Sequence, residues 1–162
     1  MSDFYTEQLV KRKTTTAVTI QKAALIAVTI VSFLLIFLIP FAIIVPVVLI
    51  VVDVIMFKRM NLEFEYLYVN GDLDIDKIMS KEKRKRAYSM NVKDLEVIAP
   101  MGSHELDPYQ NLKPVDFSSG EEDHKKYVMV VVQNGKTEKV IFEPNATILD
   151  GMRLLAPRKV FI

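Results

Sequence analysis

The side chains able to do chemistry are few and scattered. The 162-residue chain has no cysteine, which excludes disulfides, thiolate nucleophiles and cysteine-ligated zinc. Its two histidines are His104, inside the long irregular stretch Gly102–Asp123, and His124, just after the acidic run Glu121-Glu122-Asp123. Their spacing matches no metal-ligand pattern, and neither has a recognisable Ser or Cys nucleophile beside it. Asp74, Asp76, His124 and Glu143 carry acid–base groups, but nothing in their spacing gathers them into one pocket. Asp72, Asp74 and Asp76 resemble the start of a calcium loop. The glycine and distal glutamate of that loop are missing at the required spacing, and alternation fits the solvated face of a strand. With no glycine-rich phosphate loop either, the residues assign no catalytic group, no metal and no cofactor. The chain is expected not to be an enzyme.

Two charged features point instead to a membrane. The first is the run KEKRKR, whose Lys81, Lys83, Arg84, Lys85 and Arg86 form a cluster that attracts anionic lipid headgroups. Glu82 interrupts it, and an ordinary solvated turn is the alternative. Nucleic acid is not expected, because 21 basic residues stand against 20 acidic ones and the cluster is short. The second feature is Asp53, the one charged residue in the apolar stretch Ala23–Met56. An intramembrane carboxyl is a functional candidate by default. The expected reading places Asp53 near the inner interface, paired with Lys22 or reaching the headgroups.

The elements that position these groups follow from hydropathy. Ala23–Met56 is too long for one span of about 20 residues, and Pro40 and Pro46 fall in its middle. The stretch predicts two transmembrane helices with a tight turn near Ile39–Phe41: one ending at Leu38, the other running from Phe41 to Phe57. Pro40 would then open the second helix, where its missing N–H costs nothing. Basic residues flank both ends: Lys11, Arg12, Lys13 and Lys22 before, Lys58 and Arg59 after. Two crossings keep both flanks, and so both termini, in the cytoplasm. A cleaved signal peptide fits poorly, since the basic cluster lies too far in and the apolar run is too long. Residues 1–22 are expected as a cytoplasmic or interfacial segment, lying on the bilayer as a short amphipathic helix or left as a tail.

From about Asn61 the period changes to two. Leu62, Phe64, Tyr66 and Tyr68 share a face, Asn70-Gly71 marks a hairpin turn, and DLDIDKIM forms its second strand. Lys81–Arg86 is expected as a turn into a strand around Ala87–Val92, followed by a strand to Ala99. KYVMVVVQ, the turn Asn134-Gly135 and Lys136–Glu143 form a second hairpin. Asn145 caps a last helix whose Ile148, Leu149, Met152 and Leu155 make one apolar stripe. The expected fold class is α+β: an N-terminal transmembrane helical hairpin over 23–57, then a small antiparallel β-barrel or sandwich over 61–162 that folds independently and ends in a helix.

In element order, residues Asn61–Ile162 resemble a pleckstrin-homology-like barrel, in which a final helix plugs one end of two near-orthogonal sheets. That fold implies a further strand, for which Leu112–Ser118 is the available stretch. The whole chain resembles a family of small uncharacterised bacterial membrane proteins. The stretches that carry this are Glu7-Gln8-Leu9-Val10-Lys11-Arg12-Lys13, Val69-Asn70-Gly71-Asp72-Leu73-Asp74-Ile75-Asp76, Asp116-Phe117-Ser118-Ser119-Gly120, Phe142-Glu143-Pro144-Asn145 and Ala156-Pro157-Arg158-Lys159-Val160-Phe161. The resemblance implies two adjacent spans and a soluble domain, and brings no activity with it. The expected function is a multi-pass cell-membrane protein whose cytoplasmic β domain binds a protein partner or anionic lipid headgroups. The alternative is a structural subunit assembled through the hairpin, in a larger complex or a homo-oligomer.

Overall fold

A computed structural model describes residues 4–39, 41–80 and 83–162. Two compact units emerge: residues up to Arg12 together with Glu63–Ile162, and Lys13–Leu62.

The first unit holds two four-stranded sheets and a helix. One sheet runs β1 (Tyr5–Lys11), β2 (Leu62–Val69), β3 (Asp72–Met79) and β4 (Lys83–Asn91) in that spatial order. The other runs β5 (Leu95–Pro100), β7 (Tyr127–Gln133), β8 (Lys136–Phe142) and β6 (Pro114–Asp116). The pairs β1–β2, β3–β4, β5–β7 and β7–β8 are antiparallel, and β6 pairs parallel with β8. Both Asn-Gly turns behave as their residues dictate, with positive φ at Asn70, Gly71, Asn134 and Gly135, the left-handed pair that a two-residue hairpin requires. Helix α3 (Ala146–Leu155) starts where Asn145 Oδ1 accepts the Ile148 N–H at 2.9 Å. It buries Ile148, Leu149 and Met152, while Leu155 of the expected stripe stays exposed. The core of this unit includes Tyr66, Tyr68, Leu73, Ile75, Met129, Val130 and Phe142.

The sheets do not close into a barrel. Their seam is bridged by side chains: Gln8 of β1 spans to the end of β8, and Arg12 reaches Asp116 of β6 with a carboxylate contact of 3.6 Å. The short strand expected within Leu112–Ser118 is β6. Two expectations need correction. Residues 5–11 are a strand, not an amphipathic helix: they pair antiparallel along all of β2, from Tyr5 opposite Val69 to Lys11 opposite Glu63. The alternation of Thr6, Gln8 and Val10 against Tyr5, Glu7 and Leu9 has period two, and the trio's Val10 is buried. The domain thus takes its first strand from before the apolar stretch. Of the basic run, Lys83–Arg86 lie inside β4, which begins at Lys83, and Lys81 lies outside the described residues. Pairing with β3 overrides the weak strand preference of Lys and Arg.

The second unit contains α1 (Thr16–Leu34), continued by a 3-10 turn over Leu35–Phe37, and α2 (Ile44–Met60). The combined helix Thr16–Phe37 is long and apolar enough to cross a membrane by length and composition. The second helix starts three residues later than expected and ends three later. Its Pro46 sits in the first turn, where a missing N–H breaks no helical bond; Pro40, expected to open it, lies outside the described residues. The two helices are inverted relative to a water-soluble pair. The buried residues are Thr29 and Ser32 on α1 and Pro46 and Asp53 on α2, while Ile30, Val31, Leu34, Val47, Val51 and Val54 stand exposed.

Candidate functional site

Three places hold the functional candidates. The first is the interior of the helix pair. Thr29 Oγ1 donates to Asp53 Oδ2 at 2.6 Å, and Ser32 Oγ donates to the Thr29 carbonyl at 2.6 Å. Lys22 is not the partner of Asp53. It reaches Asn61 Oδ1 at 3.4 Å and lies 6.0 Å over the Phe57 ring. The cause is helix register: α2 continues to Met60, so Asp53 is mid-helix, and Thr29 lies about 10 Å along α1 from Lys22 at 1.5 Å per residue.

The second place is the strand carrying the basic run. Alternation splits it. Arg84 and Arg86 project to the outer face of the sheet, where they meet carboxylates. Arg84 pairs with Glu65 at 2.8 Å, and Arg86 with Asp74 at 2.8 Å and Asp76 at 3.2 Å. Burial pushes the Glu65 carboxyl up, with Arg84 opposing. The three alternating aspartates are all engaged, since Ser89 Oγ donates to Asp74 and Asn91 Nδ2 to Asp72, each at 2.6 Å. Lys83 and Lys85 are exposed on the opposite face, and Lys81 lies outside the described residues.

The third place went unmarked by spacing. Glu143, at the end of β8, is buried and takes three donors: the Ser119 N–H at 3.0 Å, Ser119 Oγ–H at 2.7 Å, and His124 Nδ1 at 3.2 Å. The loop before it is wound by its own side chains. Asp116 Oδ1 accepts the Ser118 N–H and Ser119 Oγ accepts the Glu121 N–H. Gln8 Nε2 donates to the Glu143 carbonyl at 2.7 Å, and Gln8 Oε1 accepts the Asn145 N–H at 2.7 Å. Beneath them Tyr66 Oη donates to the Phe117 carbonyl at 2.7 Å and accepts the Glu143 N–H at 3.2 Å. A cleft of 490 Å³ opens above, between Leu9 and Lys11 on one wall and Asp123, His124 and Lys125 on the other.

Serine, histidine and a carboxylate in contact invite comparison with a hydrolase triad, and the geometry refuses it. A triad needs one imidazole nitrogen on the serine and the other on the acid. Here Nδ1 alone faces both Ser119 Oγ, at 3.1 Å, and Glu143, and the serine proton goes to the carboxylate. The cluster ties the N-terminal strand, the 117–124 loop and the start of α3 together. Of the four groups considered for one pocket, His124 and Glu143 do meet, while Asp74 and Asp76 lie on the outer face of β3. His104 is fully exposed, 3.5 Å from Asp107.

The two buried core tyrosines on β2 make a test of this clamp. Tyr66→Phe leaves two buried backbone groups without their partner and should cost about 1–3 kcal/mol. The Tyr68 hydroxyl is buried with no hydrogen-bond partner among the described residues, and burial pushes it up to about 12. Tyr68→Phe should therefore be neutral or stabilising by up to about 1 kcal/mol. Denaturant melts of both variants in one background read the contrast; equal losses would contradict it.

Three of the five stretches that carried the family resemblance converge on this clamp, through Gln8, Ser119 and Glu143. A family described as a bacterial PH-like domain (DUF6106) matches residues 2–162. No curated protein and no solved structure matches the chain.

Proposed function

We propose, from the premise that this chain belongs to the bacterial PH-like domain family, that it is an integral membrane protein whose PH-like domain is a non-enzymatic binding module at the membrane surface. The observation that carries this reading is the inverted helix pair. In water, exposed valines, isoleucines and leucines over two whole helices, with Thr29, Ser32 and Asp53 turned inward, would be an unsupportable apolar surface. In a bilayer it is the stable arrangement, since lipid solvates the apolar side chains and the polar groups must satisfy one another.

Topology supports two crossings. Lys11 and Glu63 are register partners in adjacent strands, so the chain leaves and re-enters one domain at one place. Whatever lies between must cross the bilayer an even number of times, and if α1 spans then α2 returns. Cleavage after α1 would strip β1 from its sheet, which argues against a removable signal. The flanking Lys11–Lys13 and Lys58-Arg59 favour a cytoplasmic side for the domain.

The non-enzymatic part is supported by the Glu143 clamp, in which Ser119 bonds the carboxylate directly and one nitrogen of His124 faces both, so that no serine–histidine–acid relay is set up. Extraction tests the membrane part. The full chain should stay in the membrane pellet through alkaline carbonate and be released by detergent. Release by carbonate would refute integration. Material solubilised in mild detergent also shows what the module holds: a stoichiometric protein points to a partner, anionic lipid alone to headgroups.

A further inference from the structure

We propose that Lys77, Lys83 and Lys85, on one face of the β3–β4 hairpin, form an electrostatic contact for an anionic bilayer leaflet. This rests on the membrane reading above. In the ladder Lys77 stands directly opposite Lys85, and Met79 opposite Lys83. Directly opposed residues share a face of the sheet. Closer to the core the same face carries Leu73 opposite Met90 and Ile75 opposite Tyr88, with Leu73 and Ile75 fully buried. Past the irregularity at Ile75/Asp76 this inward face runs beyond the core and turns from apolar to cationic.

Among the described residues none of the three lysines has a carboxylate partner, whereas Arg84 and Arg86 on the reverse face are taken by Glu65, Asp74 and Asp76. Like charges directly opposite one another destabilise a strand pair, so the hairpin holds a repulsion that an external anion relieves. A lysine can also guard an exposed edge strand against unwanted pairing. That role is met by Lys83 or Lys85 alone and gives no reason for Lys77 to oppose one of them. Lys83 and Lys85 lie about 7 Å apart at the rise of a strand, an open row and not a cradle. The row matches a field of headgroup charges better than one enclosed phosphate. A neutralised Arg84–Arg86 pair means that the contact lies on the lysine face and not across the whole basic run.

The experiment uses the full chain in lipid nanodiscs. The chain has no native cysteine, so Ala87→Cys, exposed on β4, takes a single fluorophore, and the discs carry a headgroup-linked quencher. Quenching should be several-fold greater in phosphatidylglycerol-containing discs than in phosphatidylcholine discs, and high salt should abolish the difference. Lys77→Gln, Lys83→Gln and Lys85→Gln together should bring quenching down to the neutral-lipid level. The Lys→Arg triple, which keeps the charge, should retain it and so controls for misfolding. Equal quenching in both lipids, none in either, or persistence in the Gln triple would overturn the lysine contact, while incorporation into the discs leaves the membrane reading standing.

Discussion

A protein cut to begin at Asn61 is expected not to fold cooperatively, although the whole run of alternating strands lies beyond that point. The cut removes β1 and with it the cover on one edge of β2. Val10 leaves the core, worth roughly 1.5–3 kcal/mol. The two Gln8 hydrogen bonds to Glu143 and Asn145 disappear, at about 0.5–1.5 kcal/mol each. Phe4 no longer packs edge-on against Tyr68, 5.7 Å away. Together these are comparable with the lower end of the stability of an ordinary domain, about 5–15 kcal/mol. A chain that joins residues 1–11 directly to 63–162 through a two-residue Asn-Gly turn should fold, because Lys11 and Glu63 are already register partners and a tight turn suits that geometry. Circular dichroism and urea titration of the two proteins settle the comparison. The joined protein should show a single sharp transition, and the Asn61 protein a shallow one or none. Identical transitions would mean that β1 is an ornament on a domain complete without it.

The second large effect is expected at Gly151. A glycine in the middle of a helix costs about 1 kcal/mol against alanine, so Gly151→Ala should help if nothing opposed it. A Cβ there would lie 2.5 Å from the Phe4 ring and 2.6 Å from the Tyr68 ring, far inside van der Waals contact. The predicted outcome is therefore a net loss, with overpacking of about 1–3 kcal/mol outweighing the helix gain, and Gly151→Val should lose more. The penalty should shrink when Phe4→Leu is present, because Phe4 is the nearer obstacle and sits at the start of the chain. Melts of the four proteins in that cycle give the coupling. A stabilising Gly151→Ala in the native background would show that the N-terminal segment does not seat on α3.

The fold is legible in the sequence where a single residue carries its own instruction. Asn70-Gly71 and Asn134-Gly135 impose their turns whatever surrounds them, Asn145 caps its helix from within, and the period-two faces of β2 and β3 need no partner to be seen. It is not legible where meaning depends on a distant partner. Residues 5–11 become a strand because β2 is waiting some fifty residues later, past the whole apolar insertion; by itself the segment has one buried apolar residue, Val10. The basic run looked like a turn because lysine and arginine are poor strand formers, yet the β3 ladder recruits it and alternation then gives its two faces different neighbours. Ser119 and Glu143 are separated by 24 residues, and no spacing rule links a loop serine to a strand-end glutamate. Asp53 meets Thr29 and not Lys22, because α2 runs on to Met60, three residues past the boundary that hydropathy suggests.

The central claim is that an apolar helix pair inserted between β1 and β2 crosses the bilayer twice and leaves one domain, built from both flanks, on the cytoplasmic side. Site-directed thiol labelling in intact cells tests it most directly. Single cysteines replace Glu7 on β1, Phe41 between the helices, and Glu122 in the domain, all three exposed positions. An impermeant maleimide should label Phe41→Cys in intact cells and reach Glu7→Cys and Glu122→Cys only after permeabilisation. Labelling of Glu7→Cys and Glu122→Cys from opposite sides, or of all three from the same side, would contradict the account.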